Sequence, residues 1–250
     1  MTAQDSPKPL LYTNPVPLDA KAHAKLALRK NMDMGFCRDT HAVPVNMIEF
    51  PQLCHLYPIV FSPDEAATPV ALLGLGEGEN LFLGPDNRWV EVGAYVPSYI
   101  RRYPFIFAEV TGTDQLTLCI ENTPTVVEEG GDLRLFNEEA KPTELTSNAL
   151  EFCKSFHAAT RQTREFGLAM AQSGLLVPRE AEIPLQGGRT IRFGGFRVID
   201  EAKWAQIDDA TLLAWKKAGY LPAIYAHLFS AGQWNRLARL FGNHHMTKAA

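Results

Sequence analysis

The 250-residue chain has no run of about 18 apolar residues, so nothing in it is expected to cross a membrane as a helix. Residues 1–11 are polar, contain Pro7 and Pro9, and lack the charged start and apolar centre of a secretory signal. Cytoplasmic residence is the expectation. A basic surplus is missing as well. The net charge of -4 argues against a dedicated nucleic-acid binder, because phosphate neutralisation supplies much of such a protein's affinity. Paired cysteines are absent: Cys37, Cys54, Cys119 and Cys153 are far apart, with no CxxC spacing for zinc or redox work. Free, buried thiols in a reducing compartment are expected.

Catalytic signatures are missing in the same way. There is no HExxH, no GxSxG elbow and no Walker lysine motif. None of the seven histidines is followed two residues later by Asp or Glu, which leaves an iron-binding facial triad only by assembly from distant residues. Residues 75–80, Leu-Gly-Glu-Gly-Glu-Asn, resemble a phosphate loop superficially. They lack the third glycine, and Glu77 and Glu79 would repel phosphate, so a hairpin turn is expected there. No cofactor is expected.

What is present fits a globular body: 46% hydrophobic residues and 21% charged supply a core. Pro15 and Pro17 force extended backbone near the start. The basic stretch from Lys21 to Lys30 reads as a short helix. Between residues 41 and 122, short apolar runs are broken by Gly, Pro, Asn and Asp, as in an antiparallel sheet of hairpins. Strands are expected at residues 42–48, 58–61, 70–75, 80–83, 105–110 and 116–120, with a turn at 111–114. From about residue 145 the chain reads as helical. Ala149, Phe152, Cys153, Phe156, Ala159, Thr163, Phe166 and Met170 share one face, with Ser147 or Asn148 as cap and Gly174 as stop.

A hairpin interrupts the helices, from Glu182 to Leu185 and from Thr190 to Ile199 around a turn at residues 186–189. Gly194-Gly195 within it signals a bulge or a close backbone approach. Asp208 and Asp209 open a helix that Lys216 and Lys217 close before Gly219, Pro222 starts another, and a last one follows Gly232. The fold class is therefore α+β, with a β-rich N-terminal half packed with a helical C-terminal half. A single domain over residues 1–250 is expected, because no flexible linker divides 41–122 from 145–241.

Several groups are candidates for binding. Tyr99, Arg101, Arg102 and Tyr103 interleave guanidinium groups with aromatic rings, which suits capture of an acidic group or peptide terminus; solvated arginines at a helix end are the plainer reading. His227 lies in an apolar helix, as a hydrogen-bonded core residue or as a ligand contact. Tyr225, Trp234 and Asn235 either anchor helices or line an aromatic groove for a partner. Cys54 and His55 are neighbours that a strand would point to opposite sides, and His244-His245 sit at the tail. From Glu109 to Glu144, nine acidic residues face only Arg134 and Lys141, which marks a solvated region or a docking surface for a basic partner.

Seven segments together resemble the bacterial SapC family, in its order and over nearly the whole chain. They are Tyr12-x-Asn14-Pro15-Val16-Pro17-Leu18; Tyr57-Pro58-Ile59-Val60-Phe61; Val70-Ala71-Leu72-Leu73-Gly74-Leu75 with Glu79-Asn80-Leu81-Phe82; Tyr95-Val96-Pro97 with Arg101-Arg102-Tyr103-Pro104-Phe105; Leu176-Val177-Pro178; Gly194-Gly195-Phe196-Arg197-Val198-Ile199-Asp200-Glu201; and Ile224-Tyr225-Ala226-His227-Leu228-x-Ser230. The resemblance implies a link to a bacterial surface layer, and a setting beside TonB-dependent receptors and tryptophan-halogenase-like flavoproteins. It carries over no catalytic residues. The expectation is a non-catalytic accessory or binding protein that recognises a peptide, protein partner or small ligand in a cell-envelope-linked pathway. An enzyme with a site built from scattered residues, such as an oxygenase or peptide-modifying enzyme, and a structural surface-layer-associated protein are the alternatives.

Overall fold

The computed structural model describes residues 8–109, 115–184 and 190–247. In chain order the strands are β1 (Pro15–Pro17), β2 (Leu26–Leu28), β3 (Ala42–Pro44), β4 (Ile59–Phe61), β5 (Pro69–Leu72), β6 (Phe105–Glu109), β7 (Leu116–Glu121), β8 (Val127–Glu129), β9 (Leu133–Arg134), β10 (Leu176–Pro184) and β11 (Thr190–Ile199). The α-helices are α1 (Phe50–Leu53), α2 (Ser98–Arg101), α3 (Glu144–Gln172), α4 (Glu201–Trp204), α5 (Asp209–Ala218), α6 (Leu221–Ser230) and α7 (Trp234–Thr247). Antiparallel sheets dominate the first half and helices the second, with the β10–β11 hairpin among them, so the α+β class holds. The expected turns at residues 111–114 and 186–189 lie outside the described residues.

The chain packs as two compact units, neither contiguous in sequence: Met1–Phe36 with Arg101–His157, and Cys37–Ile100 with Ala158–Ala250. The first unit holds two three-stranded sheets, ordered β1-β7-β6 and β8-β2-β9. Its core is Phe105, Ile120, Val126, Val127, Leu135, Phe136 and Cys153. A buried carboxylate ties the N-terminal segment to β7. Glu121 accepts hydrogen bonds from the backbone N–H groups of Thr13 and Asn14, each at 3.0 Å, and from the Thr13 hydroxyl. Buried acceptors so filled avoid the penalty of roughly 1–3 kcal/mol that an orphaned one carries.

The second unit holds a five-stranded sheet ordered β10-β11-β4-β5-β3. Glu49 is its buried carboxylate. It accepts from the Ser98 N–H at 2.7 Å, the Ser98 hydroxyl at 2.5 Å, the Tyr95 hydroxyl at 2.9 Å and the Asn46 N–H at 3.1 Å. Asp208 caps α5 by accepting from the Thr211 N–H, and Gly219 ends it at φ +77°, as the charge pattern and glycine predicted.

Three local expectations are corrected. Residues 21–30 form turns followed by β2, not a helix. The Asp19 carboxylate accepts from the N–H groups of Lys21 and Ala22, and buried Ala27 pairs with both Glu128 and Arg134. Residues 80–83 form a turn leading into an isolated antiparallel bridge between Leu83 and Trp89 rather than a strand, because the Asn80 side chain takes the Phe82 N–H and donates to the Cys37 carbonyl. The long helix α3 starts at Glu144, ahead of Ser147 and Asn148, where the Thr143 hydroxyl is held by the Arg134 and Leu135 carbonyls. Cys54 and His55 follow α1, with the thiol buried and the imidazole exposed, as their reading as one core and one surface residue has it.

Gly167 of α3 is a close-approach glycine. A Cβ there would lie 2.6 Å from the Ala66 carbonyl oxygen and 2.8 Å from that of Ala67. Gly167→Ala should therefore lower stability by roughly 1–3 kcal/mol through overpacking, although alanine favours a helix by about 1 kcal/mol. Urea unfolding checks this; a stabilised variant would show that the loop yields freely.

Candidate functional site

The site begins with a break in the central sheet of the second unit. Strands β11 and β4 are joined by one registered pair, Arg197 opposite Phe61. Continuing that register two residues sets Ile199 opposite Ile59. These two do not bond to each other. The Ile199 N–H donates instead to Nε2 of His227 at 3.0 Å, and the Ile59 N–H donates to Oγ of Ser230 at 3.0 Å. The Ser230 hydroxyl in turn donates to the His227 carbonyl at 2.6 Å. Residues three apart share a helical face, so α6 delivers both acceptors together and satisfies two strand N–H groups that the splayed ladder leaves open.

Because Nε2 accepts a hydrogen bond, His227 carries its proton on Nδ1 and is neutral. Burial pushes its pKa down to about 4, and the Ile59 backbone acts weakly in the other direction. Nδ1 makes no hydrogen bond of normal geometry. Phe61 packs on the ring with centroids 5.0 Å apart.

A cleft of about 540 Å³ opens at this break. Ile59, Val198 and Ile199 line it from the strands, and His227, Leu228, Ser230 and Ala231 from α6 and the turn after it. Phe196 and Trp234 stack on one another at 5.3 Å and 29°. Phe193 joins them, 5.8 Å from Phe196 and 6.1 Å from Trp234. In a regular strand, residues three apart face opposite sides. Here Glu180 of β10 lies opposite two residues, Gly194 and Gly195, and Gly195 sits at φ +81°. That bulge, expected from the glycine pair, shifts the alternation and brings both phenylalanines to one face.

The rim is polar. Arg179 of β10 lies 3.7 Å from Asp200, whose other oxygen caps α4 through the Lys203 N–H. Glu180 and Glu201 complete it.

The other candidates go elsewhere. Tyr225, 46% exposed, packs edge-on to Trp204 and stacks on Phe229, itself 68% exposed. The ring partners of Trp234 are Phe193 and Phe196, so Tyr225 and Trp234 belong to separate aromatic clusters. Asn235 is exposed beside Trp234. Trp234 is half-buried rather than a core anchor. Tyr99 is buried in the second unit. In the first unit Arg101 lies over the Phe152 ring at 5.3 Å, and Arg102 over Phe156 at 4.5 Å and Tyr12 at 5.8 Å. Tyr103 stacks on Phe36 at 3.8 Å and 11°. The arginine–aromatic interleaving is thus met by rings of the chain itself. His245 pairs with Glu79 at 3.3 Å.

Phe196, Arg179, Glu180, Asp200 and Glu201 escaped the sequence reading as site residues. The Gly-Gly pair between two phenylalanines three apart was the available signal.

Ser230 and His227 are not a nucleophile–base pair, since the hydroxyl donates to the His227 carbonyl and not to its ring. All four thiols are free and buried, and burial pushes Cys37 up to about 12 and Cys153 up to about 11. Among the described residues no group of three His, Cys, Asp or Glu side chains is placed to hold a metal ion, and no helix is long and apolar enough to cross a membrane. In comparison with known proteins, the model of the family described as SapC matches residues 18–237. No curated protein and no solved structure matches the chain.

Two outcomes are expected. The unfolded imidazole binds a proton near 6.5, and the folded one only near 4. Stability contributed by neutral His227 is full above about pH 6.5 and is lost as pH falls toward 4. The loss is on the order of 3 kcal/mol, at about 1.4 kcal/mol per pKa unit. Denaturant unfolding across that range should show a slope that His227→Gln removes; an unchanged slope would mean the ring is not held neutral. Ellman's reagent should find no reactive thiol in the native protein and all four cysteines after unfolding. Rapid native reaction would place a thiol in reach of solvent.

Proposed function

The chain belongs to the SapC family, and on that premise we propose that it is a non-catalytic binding protein whose seat is the cleft between the β10–β11 hairpin and α6. One observation carries the reading. Three segments distant in sequence, around Ile59, residues 196–201 and His227–Ser230, converge on a single cleft with an aromatic floor. Its buried polar side chains are engaged by backbone groups. A site of this size, largely apolar with a few polar groups at its edge, has the character of a ligand pocket.

The accessory role, and its place in a cell-envelope-linked pathway alongside a TonB-dependent receptor or a halogenase-like flavoprotein, extend this proposal from the family resemblance. Four free, buried thiols support residence in a reducing compartment such as the cytoplasm.

The test is a fragment screen by saturation-transfer NMR, using small aromatic compounds and short peptides on the wild-type chain and on Trp234→Ala. Hits should compete with one another and weaken at least about tenfold in the variant. The half-buried ring should cost only about 1–3 kcal/mol of stability. Hits that ignore Trp234→Ala but vanish in an Arg101→Ala, Arg102→Ala double variant would move the seat to the first unit and overturn the reading.

A further inference from the structure

We infer that the occupant of this cleft is a peptide segment carrying a lysine or arginine next to an aromatic or large apolar residue; this rests on the cleft being a binding seat. Charge is the first argument. The lining holds one guanidinium, Arg179, against three carboxylates, Glu180, Asp200 and Glu201. Asp200 is the carboxylate that faces Arg179, at 3.7 Å, and its other oxygen is used as the α4 cap. Glu180 has only a loose contact with Arg192, at 3.9 Å. Glu201, exposed in the first turn of α4, has no ion-pair partner among the described residues. The balance left at the rim is negative, with His227 neutral.

The floor makes the same selection by a different route. Trp234, half-buried and stacked on the buried Phe196, gives the cleft its aromatic surface, and the negative face of an aromatic quadrupole attracts an ammonium or guanidinium group while the surrounding Ile59, Val198 and Leu228 take apolar surface. A group that is both apolar and cationic satisfies floor and rim together, whereas an anion meets repulsion at both.

The sheet argues for a peptide over a free amine. β10 is an edge strand of the five-stranded sheet, and Arg179, Glu180 and Ala181 of that strand line the cleft. An extended chain can pair along such an edge while its side chains enter the cleft.

The experiment is calorimetric titration of the full chain with three blocked peptides, Gly-Trp-Lys-Gly, Gly-Trp-Glu-Gly and Gly-Trp-Gln-Gly, and with tryptamine. The lysine peptide should bind about tenfold tighter than the glutamate peptide. That preference should shrink at high salt and in a Glu180→Gln, Glu201→Gln double variant, which should unfold as the wild type does because both carboxylates are exposed. Equal binding of all three peptides would leave the binding seat standing and overturn the cationic class. Tighter binding of the glutamate peptide would also overturn it and give the choice to Arg179. Tryptamine binding as tightly as the lysine peptide would overturn the peptide assignment, the occupant then being a small amine. If nothing binds, the seat itself is wrong, and both readings fall together.

Discussion

Two strand N–H groups, on Ile59 and Ile199, set the terms for the second unit. A regular ladder would have paired them across β4 and β11, but the strands separate after Arg197 and Phe61. Inside a protein such donors must find acceptors. They find them on α6, in His227 and Ser230. That requirement fixes the helix. Successive residues of an α-helix are about 100° apart, so a slip of one residue would carry both acceptors off the sheet. The phase is held at the helix start: Gly219 ends α5 in a left-handed conformation, and Pro222 lies in the first turn of α6. Punctuation on the surface therefore aligns hydrogen bonds in the interior.

The same separation makes the cleft. Where strands part, their facing side chains no longer fill the space between them, and the helix that repairs the backbone bonds does so with short polar groups rather than bulk. Farther along the hairpin, β10 and β11 continue as a two-stranded ribbon with β4 no longer beside β11. Such ribbons are marginal unless a face is packed. The bulge at Gly194-Gly195 solves this by turning Phe193 and Phe196 to the same side, where Trp234 of α7 covers them. Aromatic pairs of this kind add roughly 0.5–1.5 kcal/mol each beyond burial. Two rings of the ribbon's stabilising cluster, Phe196 and Trp234, also line the cleft.

Features written in local chemistry were legible in the sequence. The α5 caps, the helical face from Ala149 to Met170 and the bulged hairpin follow from neighbouring residues, and the structure shows them, with β10 beginning at Leu176 rather than at the expected Glu182. What was illegible depends on distant partners. Residues 21–30 have helix-forming composition, yet Ala27 is claimed by strands a hundred residues later. Asn80 heads an apolar run that reads as a strand, but its amide is claimed by Cys37. The arginine–aromatic stretch at Tyr99–Tyr103 reads the same whether its guanidinium groups await a ligand or rest on rings of the chain. Phe152 and Phe156, fifty residues away, receive them. Of the site, the sequence showed His227 and Trp234 but not the residue each would meet.

The distribution of polar groups bears on function more than any single one does. Glu49 and Glu121, the two buried carboxylates, look on paper like candidate acids or bases. Each is instead filled by neutral donors from backbone and hydroxyl groups, which orders the Tyr95–Ser98 and Thr13–Asn14 segments. His227 and Ser230 serve the sheet, and the cysteines are packed away. A general base needs a lone pair facing the reacting proton, and those of Glu49, His227 Nε2 and Ser230 face backbone N–H groups or hydroxyls. The charges left open, Glu180 and Glu201 beside the Phe196–Trp234 stack, are at the rim of the cleft. Groups in that position suit attraction and orientation of a ligand, as the proposed binding role requires. On the proposed reading, His227 and Ser230 shape the cleft by holding strand N–H groups, and recognition falls to the charges at its edge.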